Sequence, residues 1–169
     1  IFCRVEGVPR ATMLPLLRRI KTWNTFPEYL DHLETLPLGP NVGVFAGHSN
    51  IRMDVLGFDR SLDPTLKPSK VELDRMVEHL EDALDAGYLG LSIQTLPWDK
   101  LDGDRHRSQP LPSYFARWGE YRKLTRVLRR RGRIFQGVPN VTTKVNVLLF
   151  LMESIGLFRR PLKTTVISL

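Results

Sequence analysis

From residue 41 onward, short apolar runs bounded by turn residues alternate with helical apolar spacing, and that alternation restricts the chain to folds built on a parallel sheet. The first run, Asn41 to Gly47, follows a Pro37, Gly39, Pro40 breaker and has the uninterrupted apolar character of a strand buried on both faces. Ser69 and Glu72 have capping-box spacing, and Leu73, Met76, Val77, Leu80, Ala83 and Leu84 then form one stripe before Gly87 stops the helix. Leu89 to Ile93 reads as a second strand, Tyr114 to Arg130 as a basic amphipathic helix ended by Gly132, and Ile134 to Val138 as a third strand. Val145 to Ile155 reads as a helix stopped by Gly156, and Thr164 to Leu169 as a β-branched fourth strand.

The expected class is α/β: a partial TIM-like (β/α) barrel of about three to four βα units, with a doubly wound open sheet as the alternative. Residues 1–169 are read as one incomplete barrel domain, with 1–40 a helical lead-in and 41–169 the alternating units. Within the lead-in, Thr25 and Glu28 have capping-box spacing with Pro27 in the first turn, which predicts a helix from Phe26 to Thr35. The chain opens on Ile1 without a signal-peptide pattern and stops at Leu169 on a strand, so both ends are expected to continue in a parent protein.

Composition excludes disorder, collagen and disulfide scaffolds. The longest apolar run, Val145 to Met152, falls short of the roughly 20 residues a membrane helix needs, so no membrane span is expected. One cysteine, Cys3, rules out an internal disulfide and is consistent with a reducing cytoplasm, the expected location. The net charge of +7 raises the question of polyanion binding.

In either α/β architecture the working groups lie past the carboxyl ends of strands, here after Ala46, Ile93, Val138 and Ser168. The first such stretch, read as a loop, brings His48 and Arg52 together, an imidazole and a guanidinium suited to a metal, an anion or a substrate carboxylate, or to orienting other groups. The second, Gln94 to Asp104, is long and acidic, and Asp102 is its candidate, against the plainer reading of a solvated loop. In the third, Asn140 and Thr142 either touch a ligand or cap the next helix. His32, His79 and His106 are given no role. The run Arg126, Arg129, Arg130, Arg131, Arg133 ends a helix, where cations oppose the dipole, although it has the charge to neutralise phosphates. No Gly-rich phosphate loop, nucleophile elbow, His-x-His or His-Glu-x-x-His motif is present.

Trp23 to Leu30, Asn41 and Val42, Gly47 to Arg52, Val55 to Gly57, the helix Glu72 to Ala86 and the run Gly87 to Ser92 occur in an order that resembles the N-acyl-D-amino-acid deacylases of the amidohydrolase superfamily. Similarity runs from about Glu6 onward, with Gly132 to Asn140 and Thr165 to Ser168 similar to two later barrel strands of a divergent branch. The resemblance implies a metal-dependent barrel that hydrolyses the amide of an N-acylated D-amino acid with a metal-activated water. It also implies zinc in the parent protein, held by ligands outside this piece. His48 and Arg52 match a Gly-His-x-x-x-Arg pattern that supports the site, and no metal ligand falls within the fragment. One departure stands out: the family places a metal-binding His at the end of the third strand, where this chain has Gln136, Gly137, Val138, Pro139, Asn140.

Three functions follow. The first is a fragment of a hydrolase acting on N-acyl-D-amino acids or related non-peptide C–N bonds, inactive alone, partnered by the remainder of the barrel or other chains. The second is a barrel that lost its metal centre and serves as a binding or scaffold protein. The third, weaker, is nucleic-acid binding through the basic helix.

Overall fold

The computed structural model describes residues 7–138, 140, 144–156 and 160–167. Two helices lead in: α1 (Arg10–Ile20) and α2 (Phe26–Glu34), neither of which buries a residue fully. The capping box that starts α2 forms as its spacing predicts, with Glu28 N–H donating to Thr25 Oγ1 and the Glu28 carboxylate accepting from Thr25 N–H. Phe26 meets Tyr88 edge-on at 5.2 Å, holding this helix to the rest of the chain.

The remaining elements are β1 (Ala46–Gly47), α3 (His48–Leu56), α4 (Phe58–Ser61), α5 (Lys70–Ala86), β2 (Gly90–Gln94), α6 (Pro112–Phe115), α7 (Trp118–Arg131), β3 (Ile134–Val138), α8 (Lys144–Ser154) and β4 (Lys163–Val166). Every strand pair is parallel and the sheet order is β1-β2-β3-β4, with no reversal among the described strands. A doubly wound sheet reverses its order at a switch point; a singly wound one steps round in sequence, as here. The architecture is α/β with a four-stranded parallel sheet, consistent with an arc of a barrel.

The core forms on one face of that sheet. Leu91, Ile93 and Phe135 pack against Met76, Leu80 and Leu84 of α5, against Leu124 and Leu128 of α7, and against Phe150 of α8, which stacks on Phe135 at 4.8 Å. Each such side chain contributes about 1.5–3 kcal/mol when fully buried. The α5 stripe is as its spacing predicts, and Gly87 ends the helix in the left-handed region at φ 116°.

Three expectations need correction. Asn41 to Gly47 is not a strand buried on both faces: only Ala46–Gly47 joins the ladder, Val42 is exposed, and Val44 contributes one carbonyl that accepts from Leu89 N–H at 2.8 Å. This is an edge strand with β2 as its single neighbour among the described residues, so its outer side has no ladder to extend it. His48 to Arg52 is not a loop but the first turns of α3, which leaves β1 directly. Tyr114 to Arg130 is not continuous, because Ala116 and Arg117 are extended and separate α6 from α7. Ser168 and Leu169, at the end of the expected fourth strand, lie outside the described residues.

Candidate functional site

Side chains alternate across a strand, so the sheet has a second face. It carries Ser92 and Gln94 of β2, Gln136 of β3 and Thr165 of β4, with Ser92, Gln136 and Thr165 in one transverse row by register. None of these four belongs to the main hydrophobic cluster, and Ser92 Oγ donates to Gln136 Oε1 at 3.0 Å. Gln94, at the carboxyl end of β2, donates through Nε2 to Asp99, while its Oε1 is buried and without a hydrogen-bond partner among the described residues.

His48 and Arg52 lie elsewhere, wholly buried, one turn apart on α3. There they meet Glu120 of α7: His48 Nε2 is 2.9 Å from Glu120 Oε1, and Arg52 Nη1 donates to Glu120 Oε2. Arg52 Nε also donates to the Ser61 carbonyl at 3.2 Å. On the other side of the imidazole, His48 Nδ1 is 2.9 Å from Ser113 Oγ, which is 2.7 Å from Ser49 Oγ. Tyr121 donates to the Ser113 carbonyl, and burial pushes its phenol pKa up, so it stays a donor.

A consistent proton assignment runs through these groups. Ser49 Oγ donates to Ser113 Oγ, that hydroxyl donates to His48 Nδ1, and His48 Nε2–H donates to the Glu120 carboxylate. With the imidazole neutral, Arg52 and Glu120 cancel, which avoids burying a net charge. Burial alone would raise the Glu120 pKa, but the hydrogen bonds from His48 and Arg52, with the charge of Arg52, outweigh it and hold the carboxyl below its ordinary value.

Glu120 and Ser113 are the members that motif reading overlooked. A signal was available for Glu120: on a strongly basic helix it is an acid spaced with Leu124, Val127 and Leu128, on the face that becomes buried. Ser113, just before the expected helix at Tyr114, has no comparable mark.

Asp102 and Asn140 are not brought to this cluster. Asp102 accepts from Gly103 N–H at 2.8 Å and lies 3.7 Å from Arg107, within a loop anchored by buried Leu96, Leu101 and Leu111. Asn140 is buried and its N–H donates to Thr95 Oγ1 at 2.9 Å; Thr95 in turn donates to the Val138 carbonyl, tying the ends of β2 and β3 together. It borders a cavity of about 370 Å³ that Thr95, Ser113, Trp118, Tyr121 and Phe150 also line. Thr142, the other capping candidate, lies outside the described residues. His79 sits 3.0 Å from Asp54 and His106 2.6 Å from Asp59.

The basic helix is largely paired. Lys123 meets Asp74, Arg130 meets Glu81 and Arg131 meets Asp85, all on α5, while Arg129 reaches Glu153 of α8 at 2.6 Å. Among the described residues no group of three or more His, Cys, Asp or Glu is placed to hold a metal ion, and no helix is long and apolar enough to cross a membrane. The groups on the polar sheet face are amides and hydroxyls, which do not fit the His, Cys and carboxylate set that zinc takes.

No family model matches the chain. Uncharacterized proteins of Mycobacterium tuberculosis and Mycobacterium bovis are each 51% identical to it over 160 residues, covering 95% of this chain and 26% of theirs. The chain thus spans about a quarter of the length of these curated relatives. Among solved structures, it superposes with a TM-score of 0.59 on N-acyl-D-glutamate deacylase from Bordetella bronchiseptica, complexed with zinc and a phosphonate inhibitor that mimics the reaction's tetrahedral intermediate. The chain shares its fold with part of that deacylase. Identity is 24%, and the match covers 76% of this chain and 24% of the enzyme, so the likeness concerns the βα arc and not the chemistry.

Proposed function

We propose that this chain forms one arc of a larger barrel that hydrolyses the amide of N-acyl-D-amino acids. The observation that carries the reading is the fold shared with an N-acyl-D-glutamate deacylase, together with the ordered Gly47 to Arg52 and Gly87 to Ser92 resemblance. In the reaction, water's oxygen ends on the acyl carbon, the C–N bond breaks, and nitrogen leaves as the amine after gaining a proton.

Among the described residues no three groups form a zinc ligand set, and the ligands of any zinc are proposed to come from other segments of the longer protein. The roles left to this arc are positional. His48, Arg52 and Glu120 lock α3 to α7 behind the sheet, and Asn140 fastens β3 to β2, so the polar face keeps its register. Asp102 is proposed to act on the substrate side, as part of the loop following β2.

A second reading is a barrel that binds without catalysing. It is favoured by Gln136, a neutral amide engaged by Ser92 at the strand where the resemblance puts a metal-binding His. One preparation of the full-length protein tests both: metal content by mass spectrometry, with hydrolysis of N-acyl-D-amino acids and their L enantiomers. Bound zinc and D-selective release of the free amine support the deacylase. A folded, metal-free protein that releases no amine overturns it in favour of the binding barrel.

A further inference from the structure

We infer that the side-chain carbonyl of Gln94 is a substrate-binding group that accepts the N–H of the scissile amide, an inference that rests on the deacylase reading above. Gln94 is the last residue of β2 and points to the polar face, at the carboxyl end where ligands bind in α/β sheets. Its orientation is fixed. Asp99, itself buried, accepts from Gln94 Nε2, and a carboxylate can take only the amine side of the amide. Oε1 is therefore turned away from Asp99, buried, and without a partner among the described residues.

A buried acceptor held in one orientation and left unpaired is costly, and native proteins keep such groups where something else completes them. What completes this one must donate a hydrogen bond at the carboxyl end of the sheet. An N-acylated amino acid presents the N–H of its scissile amide, and a desolvated carbonyl that meets it binds the amide while being left unpaired by the corresponding ester. The Ser92 and Gln136 side chains satisfy each other lower on the same face, so Gln94 is the group here whose geometry lacks a donor.

The test uses the full-length protein, an N-acyl-D-amino acid, and its ester analogue with oxygen in place of the N–H. Gln94→Met keeps the shape and removes the acceptor, so kcat/KM for the amide should fall roughly tenfold while that for the ester holds. The exchange Gln94→Glu with Asp99→Asn keeps an acceptor in the same place, because the new asparagine amine donates to the new carboxylate; it should restore the preference for the amide. Melting curves of each variant establish that it is folded. Equal losses on amide and ester, no loss on either, or no rescue by the exchange would sink the assignment with the deacylase reading intact. A wild-type protein that cleaves no N-acyl amino acid would instead sink the deacylase reading, and this inference with it.

Discussion

His48 Nε2 and Glu120 Oε1, 72 residues apart in sequence, sit 2.9 Å from each other with both side chains almost completely out of water. Because Arg52 binds the second carboxylate oxygen, Glu120 offsets the Arg52 guanidinium in the core. Removing it should be expensive. Glu120→Leu strands the Arg52 charge and is expected to cost about 3–5 kcal/mol, whereas Glu120→Leu combined with Arg52→Met removes both charges and should cost less than either change alone. Denaturant unfolding of the four proteins of this cycle is the measurement; additive losses would show that the pair is not coupled.

The capping box of α5 gives a pH dependence with a defined sign. Glu72 accepts from Ser69 N–H at 2.8 Å and from Arg60 at 2.8 Å, and these contacts pull its pKa down from the ordinary 4.5 to about 2. A depressed carboxyl stabilises the folded state at pH values above its unfolded pKa, and that stabilisation drains away as pH falls through the folded one. The first turn of α5 should therefore hold its amide protons undiminished above pH 4.5 and lose protection between 4.5 and about 2. Hydrogen exchange across that range is the check, and Glu72→Gln, which removes the titrating carboxyl while keeping an acceptor for Ser69 N–H and Arg60, should abolish most of the pH dependence.

Charge on α7 makes a different prediction. Its cations face Asp74, Glu81 and Asp85 of α5, in largely exposed pairs worth about 0–1 kcal/mol each. Asp85→Asn should shift stability by less than about 0.5 kcal/mol. The same acids mask the helix from polyanions, so replacing all three with their amides should produce salt-sensitive retention on heparin that the unaltered chain lacks. Strong retention of the unaltered chain would mean that the pairs do not screen the helix.

What could be read in the sequence was whatever local chemistry specifies. The α2 and α5 boxes, the stops at Gly87 and Gly132 and the run Ile134 to Val138 stand where their residues predict them, since capping, left-handed glycine and apolar runs act over a few positions. Helix α3 was hidden for the opposite reason. Its buried face includes His48, Ser49 and Arg52 beside Ile51 and Val55, so the apolar stripe that would announce a helix is broken by polar groups whose partners, Ser113 and Glu120, lie more than 60 residues away. The break at Ala116 and Arg117 was equally invisible, because the tie from Tyr121 to the Ser113 carbonyl is tertiary. His48 and Arg52 could be picked out as a pair, but the acid that joins them could not, since no spacing rule links α3 to α7.

Two glycines test how tightly the sheet is fitted. At Gly90 a Cβ would run into the Ile134 backbone of the neighbouring strand, its carbonyl first, and backbone cannot yield without breaking the ladder that aligns Leu91 with Phe135. At Gly137 it would meet the Phe150 ring at 2.6 Å and Ile93 at 2.9 Å, and there the obstacle is a side chain on a helix that can shift. The two alanine substitutions should therefore differ in kind. Gly137→Ala is expected to cost about 1–3 kcal/mol by overpacking and to leave a folded protein, displacing α8 slightly from the sheet. Gly90→Ala should cost more than that and prevent the β2–β3 pairing, so that amides of both strands lose exchange protection together. Equal costs for the two would indicate that strands β2 and β3 are less closely apposed at Gly90 than the backbone contact implies.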